Sequence, residues 1–297
     1  MKSFQYLAPI PPFEYAAPRT LSELFDALEG HGREVQLIAG GTDLLIALKE
    51  RLIAPKVVVD LGRLRGELGG VAVDDGVLRI GALATFSQIE SSPLVSRYAE
   101  ALRQAAANVG TLQIRSIATL GGNLATASPA ADSAPPLIAL GATVTLLRRS
   151  GERRLPVQDV FTGPKRNGLR SGEIVSSVEI PADRKIQSAW TRAAVRNENV
   201  LSAVSVAVAS SVNGGKFGPS RIALGSVAPT PILAEKASAA MTGSDATPRQ
   251  AEVVGALAAE DSKPISDIRA SAQYRKRLVS VLTRRLILHL ISGSVVP

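Results

Sequence analysis

Fourteen small and polar residues, TLGGNLATASPAAD from Thr119 to Asp132, carry more information about the fold than any other stretch of the sequence. The stretch contains the glycine pair Gly121-Gly122 and a single acid, and it has no Lys or Arg although the formal net charge of the chain is +8. Small side chains let another group approach the backbone closely. The stretch therefore predicts a segment whose backbone lies directly against a second group.

The overall composition is that of a soluble globular protein with two domains, since the chain has 297 residues, of which 45% are hydrophobic and 20% charged. Aromatic residues make up only 4%, so side chains on which bases could stack are scarce. The basic residues are spread along the chain in short clusters. This distribution favours solubility or an acidic partner subunit over nucleic-acid binding, and we expect no nucleic acid among the partners.

The absence of cysteine limits the possible chemistry most sharply. It excludes a disulfide, a thiolate nucleophile and a cysteine-bound iron–sulfur cluster or zinc ion in this chain. The two histidines, His31 and His289, are far apart in the sequence and are expected at the surface. Redox chemistry would therefore need an organic cofactor. The longest apolar runs, such as PPLIALGATVTLL (135–147), are too short to span a membrane.

Local patterns predict an α+β chain. Thr20, with Glu23 three residues later, is typical of a helix N-terminus, and Gly30 is predicted to end that helix. VQLIAGGTDLL (35–45) is predicted to form a strand, a glycine turn and a short helix. The other predicted elements are strands at 56–62 and 77–83, helices at 85–92 and 95–109, a helix and then a strand within 135–149, a surface loop at 161–172, a linker from Pro181 to Lys185, a polar loop around 196–200, and a final helix within 271–291 with Leu278, Val281, Leu282, Leu286 and Leu290 on its apolar side.

Two glycine pairs are candidates for ligand contact, Gly40-Gly41 in LIAGGTD and Gly121-Gly122 in TLGGN. Glycine admits a positive φ and leaves successive backbone N–H groups bare, so such turns bind anions, and neighbouring Thr and Ser hydroxyls add further donors to phosphate. The alternative is a tight turn after a strand. Neither segment fits the dinucleotide pattern G-x-G-x-x-G or the phosphate loop G-x-x-x-x-G-K-[ST]. On the residues alone, both possibilities stay open.

Asp132 also has two possible roles. Its carboxylate would cap a helix that begins near Ser133-Ala134-Pro135, where a proline in the first turn is favourable. It could instead accept a hydrogen bond from a ribose or ribityl hydroxyl of a ligand whose phosphates lie on the glycine turns. The two roles are compatible.

Four segments, taken in order, resemble the FAD-binding medium subunit of the molybdenum hydroxylases, the family of the carbon monoxide and xanthine dehydrogenases and the aldehyde and N-heterocycle oxidoreductases. The resemblance covers nearly the whole chain and is most specific from Gln113 to Pro136. The segments are LIAGGTDLL (37–45), QIRSIATLGGNLATASPAADSAPPLIALGA (113–142), GEIVSSVEIP (172–181) and SAQYRKRLVSVLTRRL (271–286).

The resemblance implies a fold and a domain division. Residues 1–180 would form an FAD-binding domain of two α+β subdomains, split near residue 60, of the vanillyl-alcohol oxidase-like (PCMH) type. Residues 186–297 would form a smaller α+β domain of the CO dehydrogenase flavoprotein type, with a three-stranded sheet and helices.

The resemblance also implies a set of site residues, all of them cofactor contacts, with no catalytic residue and no metal ligand. The first loop would wrap the FAD pyrophosphate and isoalloxazine, the second would complete the site, Asp132 would bind the ribityl or adenosine portion, and two valines would make apolar flavin contacts. One departure is Trp190-Thr191, where several relatives have a lysine after an aromatic residue; the nearest basic residues are Arg192 and Arg196. The implied residues are Leu37, Ile38, Ala39, Gly40, Gly41, Thr42, Asp43 and Leu44 in the first loop, Thr119, Leu120, Gly121, Gly122 and Asn123 in the second, and Asp132, Val109 and Val175.

The implied function is electron transfer inside a larger enzyme. Non-covalent FAD on this chain would take electrons from [2Fe–2S] clusters of a small subunit and pass them to NAD+, oxygen, a quinone or another acceptor, while molybdopterin would be bound by a large subunit. Two copies of each subunit are expected. The alternative is a free-standing flavoprotein oxidase of similar fold, but such oxidases commonly link flavin through Cys or His, and this chain has no Cys and no His near a glycine pair.

Two further expectations concern the cellular location of the chain and its contact with a partner subunit. Residues 1–18 lack the uninterrupted apolar core of a signal peptide, so a cytoplasmic location is expected, or a periplasmic one if a partner subunit carries an export signal. The basic residues of the final helix are either a solvated face or an interface for an acidic partner. They are Arg275, Lys276, Arg277, Arg284 and Arg285.

Overall fold

The computed structural model describes residues 9–196 and 200–293. The chain is an α+β protein whose strands form three principal sheets, as expected. The middle of the polar loop predicted around 196–200 lies outside the described residues, and so do the first eight residues of the N-terminal stretch that was examined for a signal peptide. In the described part of the chain, no helix is long and apolar enough to cross a membrane.

The first sheet is small and parallel. Its strands are β1 (Glu14–Ala16), β2 (Val35–Ile38) and β3 (Val57–Asp60), in the order β1-β3-β2. Parallel neighbours need crossover connections, which are supplied by α1 (Leu21–His31) and α2 (Leu44–Lys49). The loop with Gly40 and Gly41 therefore lies at the carboxyl ends of the parallel strands, the edge at which open α/β sheets bind ligands.

The predicted start of α1 is confirmed and its predicted end is wrong. The Thr20 hydroxyl accepts a hydrogen bond from the backbone N–H of Glu23 at 3.2 Å. The helix continues through Gly30 to His31, and the residue that leaves the helical conformation is Gly32, with a φ of 54°. A positive φ ends a helix readily at glycine, and Gly30 does not adopt one.

The second sheet is antiparallel and has five strands, which are, in spatial order, β4 (Val71–Asp74), β5 (Val77–Gly81), β10 (Ile174–Pro181), β6 (Thr143–Arg148) and β7 (Gly151–Pro156). Helices cover it and enclose the largest core of the molecule. The predicted helix at 95–109 is two helices, because the chain breaks at Ala99 with a φ of −148°. The predicted loop at 161–172 contains a short hairpin, formed by β8 (Phe161–Gly163) and β9 (Arg166–Asn167). The elements are α3 (Arg65–Leu68), β4 (Val71–Asp74), β5 (Val77–Gly81), α4 (Phe86–Ser91), α5 (Pro93–Tyr98), α6 (Glu100–Ala106), α7 (Leu112–Ile117), α8 (Leu120–Thr126), α9 (Ala134–Ala139), β6 (Thr143–Arg148), β7 (Gly151–Pro156), β8 (Phe161–Gly163), β9 (Arg166–Asn167) and β10 (Ile174–Pro181).

The remaining elements form a third sheet and a helical layer around a separate core. The three long strands of this sheet are antiparallel neighbours, as expected, and a two-residue strand adds a fourth at the edge. A small hairpin, formed by β13 (Val212–Asn213) and β14 (Lys216–Phe217), lies apart from the sheet. The elements are β11 (Gln187–Ala193), β12 (Val204–Ser210), β13 (Val212–Asn213), β14 (Lys216–Phe217), β15 (Arg221–Gly225), β16 (Ile232–Leu233), α10 (Glu235–Met241), α11 (Pro248–Asp261) and α12 (Ala272–Ser292).

The buried side of α12 differs from the predicted one. Leu282, Leu286 and Leu290 are buried as expected, but Val281 is 38% exposed. The buried row begins instead at Arg275, whose side chain lies inside the domain, and continues through Val279. The apolar pattern of the sequence cannot identify a buried arginine. The predicted apolar side of α12 is therefore rotated relative to the side that the structure buries.

Residues 182–186 separate the second and third sheets and contain no helix or strand. The first sheet ends at Asp60 and the second begins at Val71. We propose domain limits of 1–180, split near residue 60, and 186–297 on this basis.

Candidate functional site

The two glycine segments lie against each other. A Cβ atom on Gly40 would be 2.1 Å from the carbonyl oxygen of Ile117 and 2.9 Å from the Cα of Ala118. The loop after β2 therefore touches the backbone that leads into Thr119, and only glycine allows this distance. A second link joins the Thr126 hydroxyl to a carboxylate oxygen of Asp43 at 3.5 Å. The structure thus brings together the two segments that the sequence had singled out.

The first glycine segment has the geometry of an anion-binding turn. Gly41 has a φ of 70°, and the backbone N–H groups from Gly40 to Leu44 have no hydrogen-bond acceptor among the described residues. Asp43 is at the N-cap of α2, but its side chain makes no capping bond. Successive bare N–H groups in such a turn bind phosphate or carboxylate. The bare amides expected for this pair are present, and contact with a ligand stays a prediction.

The second glycine segment differs from the expected turn. Gly121 and Gly122 lie in the first turn of α8, and neither has a positive φ. Their N–H groups are not bare: Gly121 donates to the Ala82 carbonyl at 2.8 Å, and Gly122 donates to the Thr119 hydroxyl at 3.2 Å. The N–H of Leu120 donates to the carbonyl of Ala84 at 3.0 Å. The expectation of bare amides at this pair was wrong, because Thr119 caps the helix and the 82–84 segment supplies the other acceptors.

Close packing explains the first glycine of this pair better than anion binding does. A Cβ atom on Gly121 would be 2.6 Å from the Cβ of Ala82 and 2.9 Å from its carbonyl oxygen. A Cβ on Gly122 would meet only the Thr119 hydroxyl, at 2.9 Å. Gly121 therefore lets α8 lie directly on the segment after β5. The helix is further fixed by the Ser133 hydroxyl, which donates to the Asn123 side chain at 2.6 Å.

Asp132 is buried and faces the C-terminal part of the chain. One carboxylate oxygen accepts from the Arg192 guanidinium at 3.0 Å, and the other accepts from the Ser202 hydroxyl at 2.7 Å. Burial raises the pKa of Asp132, while the Ser202 hydroxyl and the Arg192 guanidinium act in the opposite direction. Helix α9 has Ser133 at its N-cap and no side-chain capping bond. The capping role expected for Asp132 was therefore wrong.

Several of the other expected site residues pack on the hydrophobic cores. Val175 is buried in β10, and Val109 is half-buried against the same core. Leu37 and Ala39 pack on the core of the first sheet, and the Ile38 side chain lies under Gly41. Val175 is connected to the second segment through its neighbour, because the Ser176 carbonyl accepts from the N–H of Ala82, the residue that contacts Gly121.

No sequence motif marks the residues that position the second segment. Arg192 had been considered only as a basic residue near the missing lysine, and the structure shows it bound to Asp132. Ser202, Ala82 and Ala84 belong to no sequence motif. Their role in positioning the second segment becomes visible only in the folded structure. Across the described residues, no group of His, Cys, Asp and Glu side chains could hold a metal ion.

Comparison with known proteins identifies the family. The model of the FAD-binding domain in molybdopterin dehydrogenases matches residues 11–183. The model of the CO dehydrogenase flavoprotein C-terminal domain matches residues 189–290.

Individual relatives agree with this over nearly the whole chain. The xanthine dehydrogenase FAD-binding subunit of Escherichia coli is 31% identical over 280 residues, which are 93% of this chain and 96% of the relative. The carbon monoxide dehydrogenase medium chain of Afipia carboxidovorans is 28% identical over 93% of this chain and 95% of the relative. A chain in the structure of reconstituted CO dehydrogenase from Oligotropha carboxidovorans superimposes with a TM-score of 0.91 at 27% identity, covering 96% of this chain and 100% of that one.

The fold and the matched models define an FAD-binding flavoprotein with a two-part architecture. More narrowly, the chain belongs to the medium, FAD-binding subunits of the molybdenum hydroxylases. The resemblance stated from the sequence motifs is confirmed, and the free-standing oxidase is not favoured.

Proposed function

We propose that this chain is the electron-transfer subunit of a molybdenum hydroxylase complex, accepting electrons from [2Fe–2S] clusters of a small subunit and delivering them to NAD+, oxygen, a quinone or another acceptor. The observation that carries the proposal is the run of N–H groups from Gly40 to Leu44 without acceptors among the described residues, which we call the cradle, in a chain of the FAD-binding family. Its first residue, Gly40, lies against the backbone of Ile117 and Ala118. When bound, FAD supplies the redox chemistry that these side chains lack.

The residues of the cradle fit a cofactor that carries phosphate. We infer that the N–H groups from Gly40 to Leu44 donate to the pyrophosphate, because they are the only successive amides of the two segments left without acceptors among the described residues. Gly41 has the positive φ that is typical of such anion-binding turns.

The second segment has a different task in this proposal. Its first amides are already satisfied, so Thr119 to Asn123 contribute a rigid wall held on Ala82 rather than a second set of amide donors. The amide nitrogen of the Asn123 side chain has no acceptor among the described residues and is free to donate. We propose that the site is lined by Leu37, Ile38, Ala39, Gly40, Gly41, Thr42, Asp43, Leu44, Val109, Thr119, Leu120, Gly121, Gly122, Asn123, Asp132 and Val175.

The placement of the histidines supports non-covalent binding. His31 ends α1 and precedes β2, so it lies at the edge of the first sheet opposite to the Gly40 loop. His289 lies in α12 of the C-terminal part. With no cysteine in the chain, neither of the usual linking residue types stands near the cradle.

The expected assembly contains two copies each of this chain, a molybdenum-binding large subunit and an iron–sulfur small subunit, in the cytoplasm. Relatives that are named as a medium chain or as a subunit of a dehydrogenase complex support the multi-subunit part of this proposal. Size-exclusion chromatography with metal analysis tests the proposal. The chain alone should bind FAD and oxidise no substrate, and the co-expressed complex should contain molybdenum and iron. Turnover by the isolated, metal-free chain would contradict it.

A further inference from the structure

An apolar knob protrudes from the C-terminal domain, at the turn that connects α11 to α12. Ile268 at its tip is 104% exposed, and Ile265 at its start is 72% exposed. Tyr274, in the first turn of α12, is 54% exposed. We call the segment 265–270 together with Tyr274 the apolar turn.

The apolar turn is held rigidly. The N–H of Asp267 donates to the Ala270 carbonyl at 3.1 Å. The Asp267 carboxylate accepts from the N–H groups of Arg269 at 2.8 Å and Ala270 at 3.3 Å. The Arg269 guanidinium donates to the other carboxylate oxygen at 2.9 Å. These hydrogen bonds hold the turn in the conformation that exposes Ile268.

The turn is also fixed to the body of the domain. Arg275, only 2% exposed, donates to Asp267 at 2.6 Å. Its guanidinium also donates to the carbonyls of Ala203 and Ser226, each at 2.8 Å. These carbonyls lie beside β12 and β15, so the turn moves with the sheet. A preorganised apolar side chain is the kind of group that contributes most to a protein interface.

The segment that contains the apolar turn and α12 carries an excess of basic side chains. From residue 262 to residue 292, Asp267 is the only acid, and its carboxylate is paired with Arg269 and Arg275. Glu260 and Asp261, at the end of α11, come just before this stretch. The exposed basic side chains of this stretch are Lys263, Lys276, Arg277, Arg284 and Arg285, of which Arg284 is bound to Glu252. Arg275, which the sequence had placed in this patch, is internal.

We propose that the apolar turn docks on a partner subunit of the complex, inserting Ile268 into an apolar pocket whose rim carries acidic side chains. The inference rests on the proposed function, because it takes the chain to work as a subunit. An acidic rim complements the basic surroundings of the turn. A second copy of this chain fits poorly, since a symmetric contact would bring two basic surfaces together. A nucleic acid would complement the basic side chains but would offer no apolar pocket for the isoleucines.

The test is Ile268→Asp in the co-expressed complex, with Val253→Asp as its matched control. Val253 is 47% exposed on α11 of the same domain. The chain is titrated against the purified partner subunits, and its FAD content is measured in parallel. We expect Ile268→Asp to weaken association at least about tenfold, Val253→Asp to leave it unchanged, and FAD content to stay the same in both variants. Lys276→Glu with Arg277→Glu should also weaken association, less so at high salt.

The outcomes separate this inference from the proposed function. If the wild-type chain binds FAD but never associates with its partners, the proposed function fails. If the wild-type chain associates and Ile268→Asp associates equally well, only the docking inference is overturned. An isolated chain that dimerises through Ile268, shown by a dimer that the aspartate variant loses, would assign the turn to a second copy and also overturn it.

Discussion

Three glycines near the site look alike in the sequence and differ in what surrounds them. Gly40 is pressed against the Ile117 carbonyl, Gly121 against Ala82, and Gly122 faces only a hydroxyl. The sequence identified both pairs, because a doubled glycine beside apolar residues is visible in one dimension. The sequence does not show which glycine is required by a close contact, because the residues that make the contact are distant along the chain.

Gly40→Ala should lose FAD. The added Cβ would lie 2.1 Å from a backbone oxygen that cannot move aside, so the loop must shift and its amides lose their alignment. Gly66→Ala is the matched control, because a Cβ there meets nothing within 4 Å. The flavin absorbance per chain should fall for the first variant only. Equal flavin in both would mean that the contact at Gly40 has no bearing on the cofactor.

Gly121→Ala and Gly122→Ala should behave differently. The first places a methyl group 2.6 Å from the Cβ of Ala82, and overpacking of this kind lowers the free energy of unfolding by about 1–3 kcal/mol. The second is expected to change it by less than about 1 kcal/mol, because alanine is the better helix former and only a hydroxyl must turn away. Urea unfolding of the two variants measures the difference. Equal losses would show that packing on Ala82 is not what selects glycine at position 121.

At the scale of elements, patterns of alternation and capping predicted most helices and strands where local signals are strong. The strand, turn and helix of 35–49 follow from β-branched residues, paired glycines and a leucine-rich segment. The extent of helix α12 was predicted correctly, but the side that it buries was not. Arg275 is buried, whereas an apolar pattern places only apolar side chains on the buried side. The partner that makes this possible, Asp267, lies in an irregular turn.

The turn before α12 should respond to acid in a defined way. Burial acts to raise the pKa of Asp267, but the N–H of Arg269 and the guanidinium of Arg275 lower it to about 2. Because the pKa in the folded state lies below the ordinary value of 3.8, the stabilisation is complete above that value and is lost as the pH falls toward 2. The stability advantage of the wild type over Asp267→Asn should therefore be constant from neutral pH to about pH 5 and shrink below it. A difference that does not change down to pH 2.5 would contradict this assignment.

At the scale of the whole molecule, the site segment is shared between the two parts of the chain. Asp132 is bound to Arg192 and Ser202, and the N–H of Ser226 donates to the Pro129 carbonyl at 2.9 Å. The resemblance of motifs predicted both parts correctly. It did not predict this joint, because no motif contains residues from both sides.

Removing only the carboxylate of the Asp132–Arg192 pair should lower the free energy of unfolding more than removing both charged groups. Asp132→Asn leaves the buried Arg192 guanidinium without its carboxylate, and we expect the free energy of unfolding to fall by about 3 kcal/mol. Asp132→Asn combined with Arg192→Met removes both buried charges and should recover part of that loss. Chemical denaturation of the two variants decides the matter. A double variant less stable than the single one would show that Arg192 is held mainly by other groups.

In the function proposed above, this chain holds FAD, without a covalent bond, in the cradle after β2. The most direct measurement is acid precipitation of the purified wild-type chain, followed by chromatography of the flavin in the supernatant. About one FAD per chain is expected, all of it released. Flavin that stays in the pellet, FMN in place of FAD, or no flavin at all would contradict it.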